Sequence, residues 1–158
     1  MPDSVTLAPQ KQPTEAPPCR IRRVCFVCTG NTCRSPMAAA VYNHLHRGEP
    51  THAVSRGVAA HPGHPIHPYA VEALRKAGVP STPGNDYEHH LSALMDEETA
   101  KWADELICLS SSHAMTLCCA YPAHAEKIRV LGELADPWGG TQEDYDRALA
   151  EIREALQR

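Results

Sequence analysis

The stretch from Val24 to Met37, "VCFVCTGNTCRSPM", constrains the fold more than any other part of the chain. It begins within the apolar and β-branched run "RRVCFVC", which predicts a buried strand. Ser35 is a residue type that caps helices and Pro36 suits the first helical position, so "SPMAAAVYNHLHRG" predicts a helix that stops at Gly48. A buried strand that leads into a helix through a short polar loop is typical of an α/β fold with a parallel sheet.

The remainder of the chain continues this alternation. Further strands are predicted at "HAVSRG", "DELICLS" and "KIRVL", and further helices at "PYAVEALRKAGV", "DEETAKWA" and "SSSHAMTLCCA". The last segment, "TQEDYDRALAEIREALQR", places Tyr145, Leu149, Ile152 and Leu156 on one stripe of a helix. We therefore predict an α/β fold, a single three-layer domain in which a four-stranded parallel sheet is flanked by helices.

The length of 158 residues suits one domain of ordinary size. Residues 1–20, "MPDSVTLAPQKQPTEAPPCR", are proline-rich and without periodicity, which predicts a flexible tail before a domain at 21–158. The formal charge of -4, from 15 basic and 19 acidic residues, gives no general attraction for nucleic acid or an anionic membrane. We expect neither as a partner and take a monomer as the default.

The chain has no apolar run near the roughly 20 residues that span a bilayer and no signal-peptide pattern at its start. We therefore expect a cytoplasmic protein. Its seven cysteines are then better interpreted as thiols than as a disulfide framework.

The loop from Cys28 to Ser35, "CTGNTCRS", follows the first predicted strand, where parallel sheets place functional sites. Backbone N–H groups in such a loop can converge with a helix N-terminus to bind an anion the size of phosphate. Gly30 and Asn31 tolerate the left-handed backbone angles that tight curling needs. The positive surroundings and the Ser35 hydroxyl would stabilise a Cys28 thiolate, and Arg34 could bind two phosphoryl oxygens. These residues predict a site that accepts a phosphoryl group.

The segment "CTGNTCRSP", from Cys28 to Pro36, resembles the loop C-x-x-G-N-x-C-R-S-P of the low-molecular-weight protein tyrosine phosphatase family at every specified position. "ADPWGG" resembles the family's second motif, an acid–proline–aromatic stretch near the C-terminus. The resemblance covers the chain from about Arg23 onward. It implies the same four-stranded parallel sheet, phosphorylated protein substrates, and neither a metal nor another cofactor.

The resemblance also implies roles for single residues. Cys28 would be the nucleophile, Arg34 the phosphoryl clamp, and Asp136 the acid that protonates the leaving group and then the base for the attacking water. Ser55 and His90 match the hydrogen-bond network that supports the loop, together with Asn31 and Ser35. The residues expected to bind the phosphate are Thr29, Gly30, Asn31, Thr32, Cys33 and Ser35.

The residue two positions before Arg34 bears on the substrate. Thr32 stands where the family's tyrosine phosphatases usually have isoleucine and where its bacterial protein arginine phosphatases have threonine. A phenyl ring favours an apolar wall, whereas a guanidinium is flat, polar and rich in donors. The sequence therefore favours a protein arginine phosphatase, with a low-molecular-weight protein tyrosine phosphatase as the alternative.

Two other activities are less favoured. Arsenate reductases share this fold and loop but need shuttling cysteines, and Cys118 and Cys119 are adjacent in a predicted helix, where we expect them to be buried. A phosphate-binding module without turnover would lack Cys28, Arg34 or Asp136, and all three are present.

Two further features remain open. Cys33 lies five positions after Cys28 in the same curled loop, which predicts a reversible disulfide between them under peroxide, with a small buried residue as the alternative. His61, His64 and His67 are spaced three apart in "HPGHPIHP", but the intervening prolines prevent a helix that would align them as metal ligands. In the family that the chain resembles, this segment is a loop near the rim of the active site, which implies that it contacts substrate.

Overall fold

The structure is a computed structural model that describes residues 20–158. The predicted tail at residues 1–20 therefore lies outside the described residues except for Arg20, which is exposed and pairs with Asp104 at 2.8 Å. Four strands are present in the described part: β1 (Arg22–Cys28), β2 (Thr51–Gly57), β3 (Glu105–Cys108) and β4 (Ile128–Val130). The helices are α1 (Arg34–Leu45), α2 (Pro68–Lys76), α3 (Glu97–Trp102), α4 (Ser111–Ala120) and α5 (Gln142–Gln157), with short 3-10 helices at Tyr87–His89 and Pro122–Lys127.

The strands form one parallel sheet in the order β2-β1-β3-β4. In its register Cys28 lies opposite Gly57, and Val27 lies opposite Cys108. Because all the strands run in the same direction, their carboxyl ends meet at one edge of the sheet. This confirms the predicted α/β fold with a four-stranded parallel sheet, and it places the end of β1 in the middle of that edge.

Helices cover both faces of the sheet, which gives the three predicted layers. Successive side chains of β1 alternate between the two faces. Phe26 packs on one face in a cluster that includes Met37 of α1, Leu74 of α2 and Ile152 of α5. On the other face, a second cluster includes these residues of β1, β3 and α4: Cys25, Val27, Leu106, Cys108 and Leu117.

The ends of α1 differ from the prediction. The helix begins at Arg34, so Ser35 lies inside its first turn, and the residue at the capping position is Cys33, which makes no side-chain cap bond. The Ser35 hydroxyl bonds to the Cys28 sulfur instead, because the loop turns it inward. The helix also ends at Leu45, before Gly48, whose φ of 82° belongs to the turn that leads to β2.

Helix α4 corrects a second expectation. Cys118 and Cys119 are exposed, so the prediction that they are buried is wrong. The positions of α4 that face the protein are His113 and Leu117, one turn apart. Within residues 20–158, no helix is long and apolar enough to cross a membrane.

Candidate active site

The predicted phosphate loop curls at the carboxyl end of β1. It lines a pocket of about 230 Å³ with residues 28–34, Asp136 and Trp138. Asn31 has a φ of 61°, in the left-handed region. Gly30 does not have a positive φ, so of the two residues expected to permit tight curling only Asn31 adopts left-handed angles. The bend that directs the loop back to α1 therefore depends on an asparagine.

The Asn31 side chain joins the loop to its surroundings. Its Nδ2 donates to Ser35 Oγ at 2.8 Å and to Ser55 Oγ at 3.0 Å, and its Oδ1 accepts from the backbone N–H of Ala93 at 2.9 Å. His90 Nε2 lies 2.9 Å from the Asn31 carbonyl oxygen, which can only accept, so Nε2 carries the proton. Burial lowers the pKa of His90 and favours the neutral ring. The structure thus brings together all four residues of the predicted network.

Cys28 is 2% exposed, and its sulfur lies 2.8 Å from Ser35 Oγ. Ser35 Oγ already accepts from Asn31 Nδ2, which leaves its own hydrogen to donate. The Cys28 sulfur is a nearer acceptor for that hydrogen than the Arg56 carbonyl oxygen at 3.4 Å. The Ser35 hydroxyl is therefore placed to donate its hydrogen to the Cys28 sulfur.

Three carbonyl groups of the loop are bonded to backbone N–H groups outside it. Those of Cys28, Thr29 and Thr32 accept hydrogen bonds at 2.9 to 3.0 Å from the backbone N–H groups of Val58, Ala59 and His67. Because these carbonyl oxygens are occupied outside the loop, they place no negative dipoles against an anion inside it.

Arg34 and Asp136 meet at the same pocket. Arg34 is 7% exposed, and its Nη1 donates to the Leu134 carbonyl oxygen at 3.2 Å. Its Nη2 lies 3.4 Å from Asp136 Oδ2. Asp136 is half exposed, and its Oδ1 accepts from the backbone N–H of Trp138 at 3.1 Å. The Arg34 guanidinium therefore lines the same pocket as Cys28, and the Asp136 carboxyl group remains open to solvent.

Cys33 is buried in the same loop. Its sulfur lies 3.2 Å from the Tyr145 hydroxyl and 3.6 Å from Thr32 Oγ1. Burial raises the pKa of the Cys33 thiol and of Tyr145, so both keep their protons. The sequence predicted Tyr145 only as part of an apolar stripe, and its contact with the loop has no local signal.

Sequence reasoning also missed Gly57 and His113. A Cβ added at Gly57 would lie 2.5 Å from the Thr29 carbonyl oxygen, so only glycine lets β2 approach the loop this closely. A glycine at the end of a strand often marks such an approach, and that signal was available. His113 Nε2 lies 3.0 Å from Thr29 Oγ1, across 84 positions of sequence, and no pattern indicated it.

The histidine loop contacts the site through His67. His67 caps α2 by accepting from the backbone N–H of Tyr69 at 3.0 Å, and its ring stacks on Tyr145 at 4.7 Å between centroids. The rings of His61 and His64 lie edge to face at 6.4 Å. Across residues 20–158 no three His, Cys, Asp or Glu side chains are placed to hold a metal ion.

The chain is similar in sequence to known phosphatases and to an arsenate reductase. Residues 23–158 match the family described as low molecular weight phosphotyrosine protein phosphatase. The chain is 30% identical to a protein-arginine-phosphatase of Bacillus subtilis, over 85% of this chain and 92% of that protein. It is 31% identical to an arsenate reductase of Bacillus cereus, over 87% of this chain and 92% of that protein.

Among solved structures, the fold is similar to that of the low molecular weight protein tyrosine phosphatase from T. tengcongensis. The TM-score is 0.79 with 36% sequence identity, over 86% of this chain and 95% of that chain. The family match covers the sheet, the phosphate loop and the Asp136 loop together. The chain therefore belongs to the low molecular weight phosphotyrosine protein phosphatase family and is a cysteine-based phosphatase.

Proposed function

We propose that this chain is a protein arginine phosphatase, which hydrolyses phosphoarginine in proteins through a phosphocysteine intermediate. The observation that carries the proposal is Thr32 in the wall of the phosphate pocket. Its backbone carbonyl is fixed by the His67 N–H at 3.0 Å, which holds the residue in place. The side chain presents a methyl group and a hydroxyl that can accept from a guanidinium.

The proposed reaction has two steps. In the first, the Cys28 thiolate attacks phosphorus, an S–P bond forms, and the P–N bond breaks as Asp136 gives a proton to the departing guanidine nitrogen. In the second, Asp136 takes a proton from water while the water oxygen bonds to phosphorus and the S–P bond breaks. Arg34 and the loop N–H groups stabilise the phosphoryl oxygens in both steps.

Asp136 also fits the hydrogen-bond donors of the proposed substrate. Its carboxyl group lines the pocket and is half exposed, so an arriving guanidinium group can contact it without displacing protein atoms. The carbonyl oxygen of a protonated carboxyl group can accept a hydrogen bond from a guanidinium N–H, while its O–H group carries the proton that the first step requires. The relative from Bacillus subtilis that is named a protein-arginine-phosphatase supports the same assignment. The chemistry requires a reduced Cys28, for which we propose a cytoplasmic location.

The test compares kcat/KM on phosphoarginine and phosphotyrosine peptides of matched flanking sequence. We expect the native chain to prefer phosphoarginine. Thr32→Val keeps the shape and removes the hydroxyl, and should lower kcat/KM on phosphoarginine about threefold to tenfold, the contribution of one hydrogen bond. Thr32→Ile should shift the preference toward phosphotyrosine. Thr116→Val, on the exposed surface of α4, is the matched control. A native preference for phosphotyrosine would overturn the proposal.

Tyrosine phosphatase activity is the second candidate. Trp138 lines the pocket and is 71% exposed, so it offers a flat aromatic surface beside which a phenyl ring could pack. Arsenate reduction is a third candidate, favoured by the Bacillus cereus relative and by the exposure of Cys118 and Cys119. Turnover of arsenate coupled to thioredoxin, lost in Cys118→Ser or Cys119→Ser, would establish that activity.

A further inference from the structure

His113 is a buried histidine beside the phosphate loop to which the mechanism above gives no role. It lies in the first turn of α4 and is 3% exposed. Its Nε2 lies 3.0 Å from Thr29 Oγ1, and Thr29 directly follows Cys28 and lines the pocket. A buried imidazole thus contacts a side chain next to the nucleophile.

The other ring nitrogen of His113 is also bonded. Nδ1 lies 3.1 Å from Ser110 Oγ, which in turn lies 2.8 Å from Ser112 Oγ. Ser110 occupies the capping position of α4 but makes no side-chain cap bond, so its hydroxyl is available to the imidazole. A continuous chain of hydrogen bonds therefore runs from exposed Ser112 through Ser110 and His113 to Thr29 at the pocket.

The hydrogen bonds from Ser112 to Thr29 can all run in either of two directions, because a neutral imidazole has one donor and one acceptor. Burial and the positive charge of Arg34 lower the pKa of His113, while the negative charges of Asp136 and Glu133 oppose this shift, and the neutral ring is favoured. In one order Thr29 donates to Nε2 and presents only lone pairs to the pocket. In the other Nε2–H donates to Thr29, whose own proton is free to point into the pocket.

An anion in the pocket distinguishes these orders. Lone pairs of Thr29 would repel a phosphoryl oxygen, whereas its proton would bond to it. In the second order every side chain of this hydrogen-bonded series keeps a partner, since Ser110 then donates to Nδ1 and Ser112 donates to Ser110. Binding of a phosphoryl group therefore selects the order in which His113 Nε2 carries the hydrogen.

We propose that His113 is a positioning residue for phosphoryl transfer, which fixes the Thr29 hydroxyl as a hydrogen-bond donor directed at the bound phosphoryl group. This role rests on the phosphatase chemistry of the family and not on the choice between phosphoarginine and phosphotyrosine. A hydrogen bond to a charged group contributes about tenfold or more to binding, so the expected effect is measurable.

The test is a double-mutant cycle with p-nitrophenyl phosphate as substrate and orthovanadate as a competing anion. Thr29→Val and His113→Leu should each lower kcat/KM and weaken orthovanadate binding, by about tenfold. The double variant should be no worse than Thr29→Val, because His113 acts through Thr29. His113→Gln, whose amide can also donate to Thr29, should recover most of the loss. His52→Gln, at an exposed position at the start of β2, is the matched control.

A second cycle leaves the imidazole in place and so avoids a packing defect. Ser110→Ala removes the donor to Nδ1 and should lower kcat/KM about threefold in the native background and not at all in Thr29→Val. Equal losses in both backgrounds would overturn the proposal, as would a His113→Gln variant as impaired as His113→Leu. Because the probe is an aryl phosphate, these outcomes are independent of the preference measured on phosphoarginine peptides.

Discussion

Asn31 meets two separate requirements of the phosphate loop. Its left-handed φ of 61° turns the backbone, and its amide bonds to Ser35, Ser55 and the Ala93 N–H. Glycine would allow the backbone angle but provide none of these bonds, and aspartate would lose both donors. Two requirements, the backbone conformation and the hydrogen bonds, thus explain the asparagine of the C-x-x-G-N motif. The motif by itself does not distinguish between these two reasons.

The surroundings of Cys33 bear on how Cys28, the proposed nucleophile, responds to oxidation. It is buried in the same loop as Cys28, and the Tyr145 hydroxyl lies 3.2 Å from its sulfur. The six cysteines that the structure describes are all free. Because burial raises the pKa of Cys33, this residue remains a thiol that can condense with an oxidised Cys28.

We predict that peroxide converts Cys28 to a sulfenic acid, which condenses with the Cys33 thiol to form a disulfide and release water. Mass spectrometry should find a peptide crosslinked at Cys28 and Cys33, and dithiothreitol should restore activity. In Cys33→Ser the loss of activity should become irreversible, whereas Cys119→Ser, on the exposed face of α4, should behave as the native chain. Sulfonic acid at Cys28 beside a free Cys33 would contradict the prediction.

At the scale of the elements, the end of β2 supports the loop by close contact. A Cβ on Gly57 would lie 2.5 Å from the Thr29 carbonyl oxygen and 3.1 Å from Asn31 Cβ. Backbone atoms cannot yield as a flexible side chain can, so a larger residue must displace the loop itself. The Gly57 N–H also donates to the Ala93 carbonyl oxygen at 3.0 Å, which ties β2 to the segment that bonds Asn31.

We therefore predict that Gly57→Ala lowers kcat/KM on p-nitrophenyl phosphate at least about tenfold and costs about 1 to 3 kcal/mol in the free energy of unfolding. Gly84→Ala is the matched control, because a Cβ there meets no atom within 4 Å. It should change stability by less than about 0.5 kcal/mol. Steady-state kinetics and urea unfolding measure both variants, and equal behaviour of the two would show that the contact at Gly57 is relaxed at no cost.

The sequence pattern predicted the elements but not their ends. β1 follows from its continuous apolar and β-branched run, which fits a strand buried on both faces, and α5 follows from an apolar stripe at helical spacing. The start of α1 was misplaced, since Ser35 has the chemistry of a cap and its hydroxyl is instead drawn to Cys28. The third strand also stops at Cys108, two residues early, because Ser110 becomes the capping position of α4.

For the whole molecule, the site depends on parts of the chain that are far apart in sequence. The two motifs predicted Cys28, Arg34 and Asp136, and the structure places all three at one pocket. The contacts of His113 and Tyr145 with the loop span 84 and 112 positions and come from separate helices. Neither leaves a local pattern, because a residue that faces the core of a helix has the same spacing whether it contacts a leucine or a phosphate loop.

The stability of the whole fold should depend on pH where histidines titrate. Burial lowers the pKa of His67, His90 and His113 below the ordinary value of 6.5. As pH falls below 6.5, the unfolded chain binds protons that the folded chain does not. The free energy of unfolding therefore decreases as pH decreases, and the contribution of the neutral rings to stability is complete only above pH 6.5. His89 has the opposite sign, because Asp86 raises its pKa, but it is fully exposed and screened by solvent.

We predict that His90→Gln reduces this dependence. The glutamine amide can still donate to the Asn31 carbonyl oxygen, but it does not titrate. Urea unfolding between about pH 5 and pH 7 should show a smaller slope of unfolding free energy against pH than in the native chain, by at most about 1.4 kcal/mol per pH unit for one histidine.

Carboxylates with a lowered pKa, such as Asp96 and Asp104, lose their contribution to stability only near pH 3.8 and below, outside this window. An unaltered slope in His90→Gln would show that the ring is not held neutral by burial.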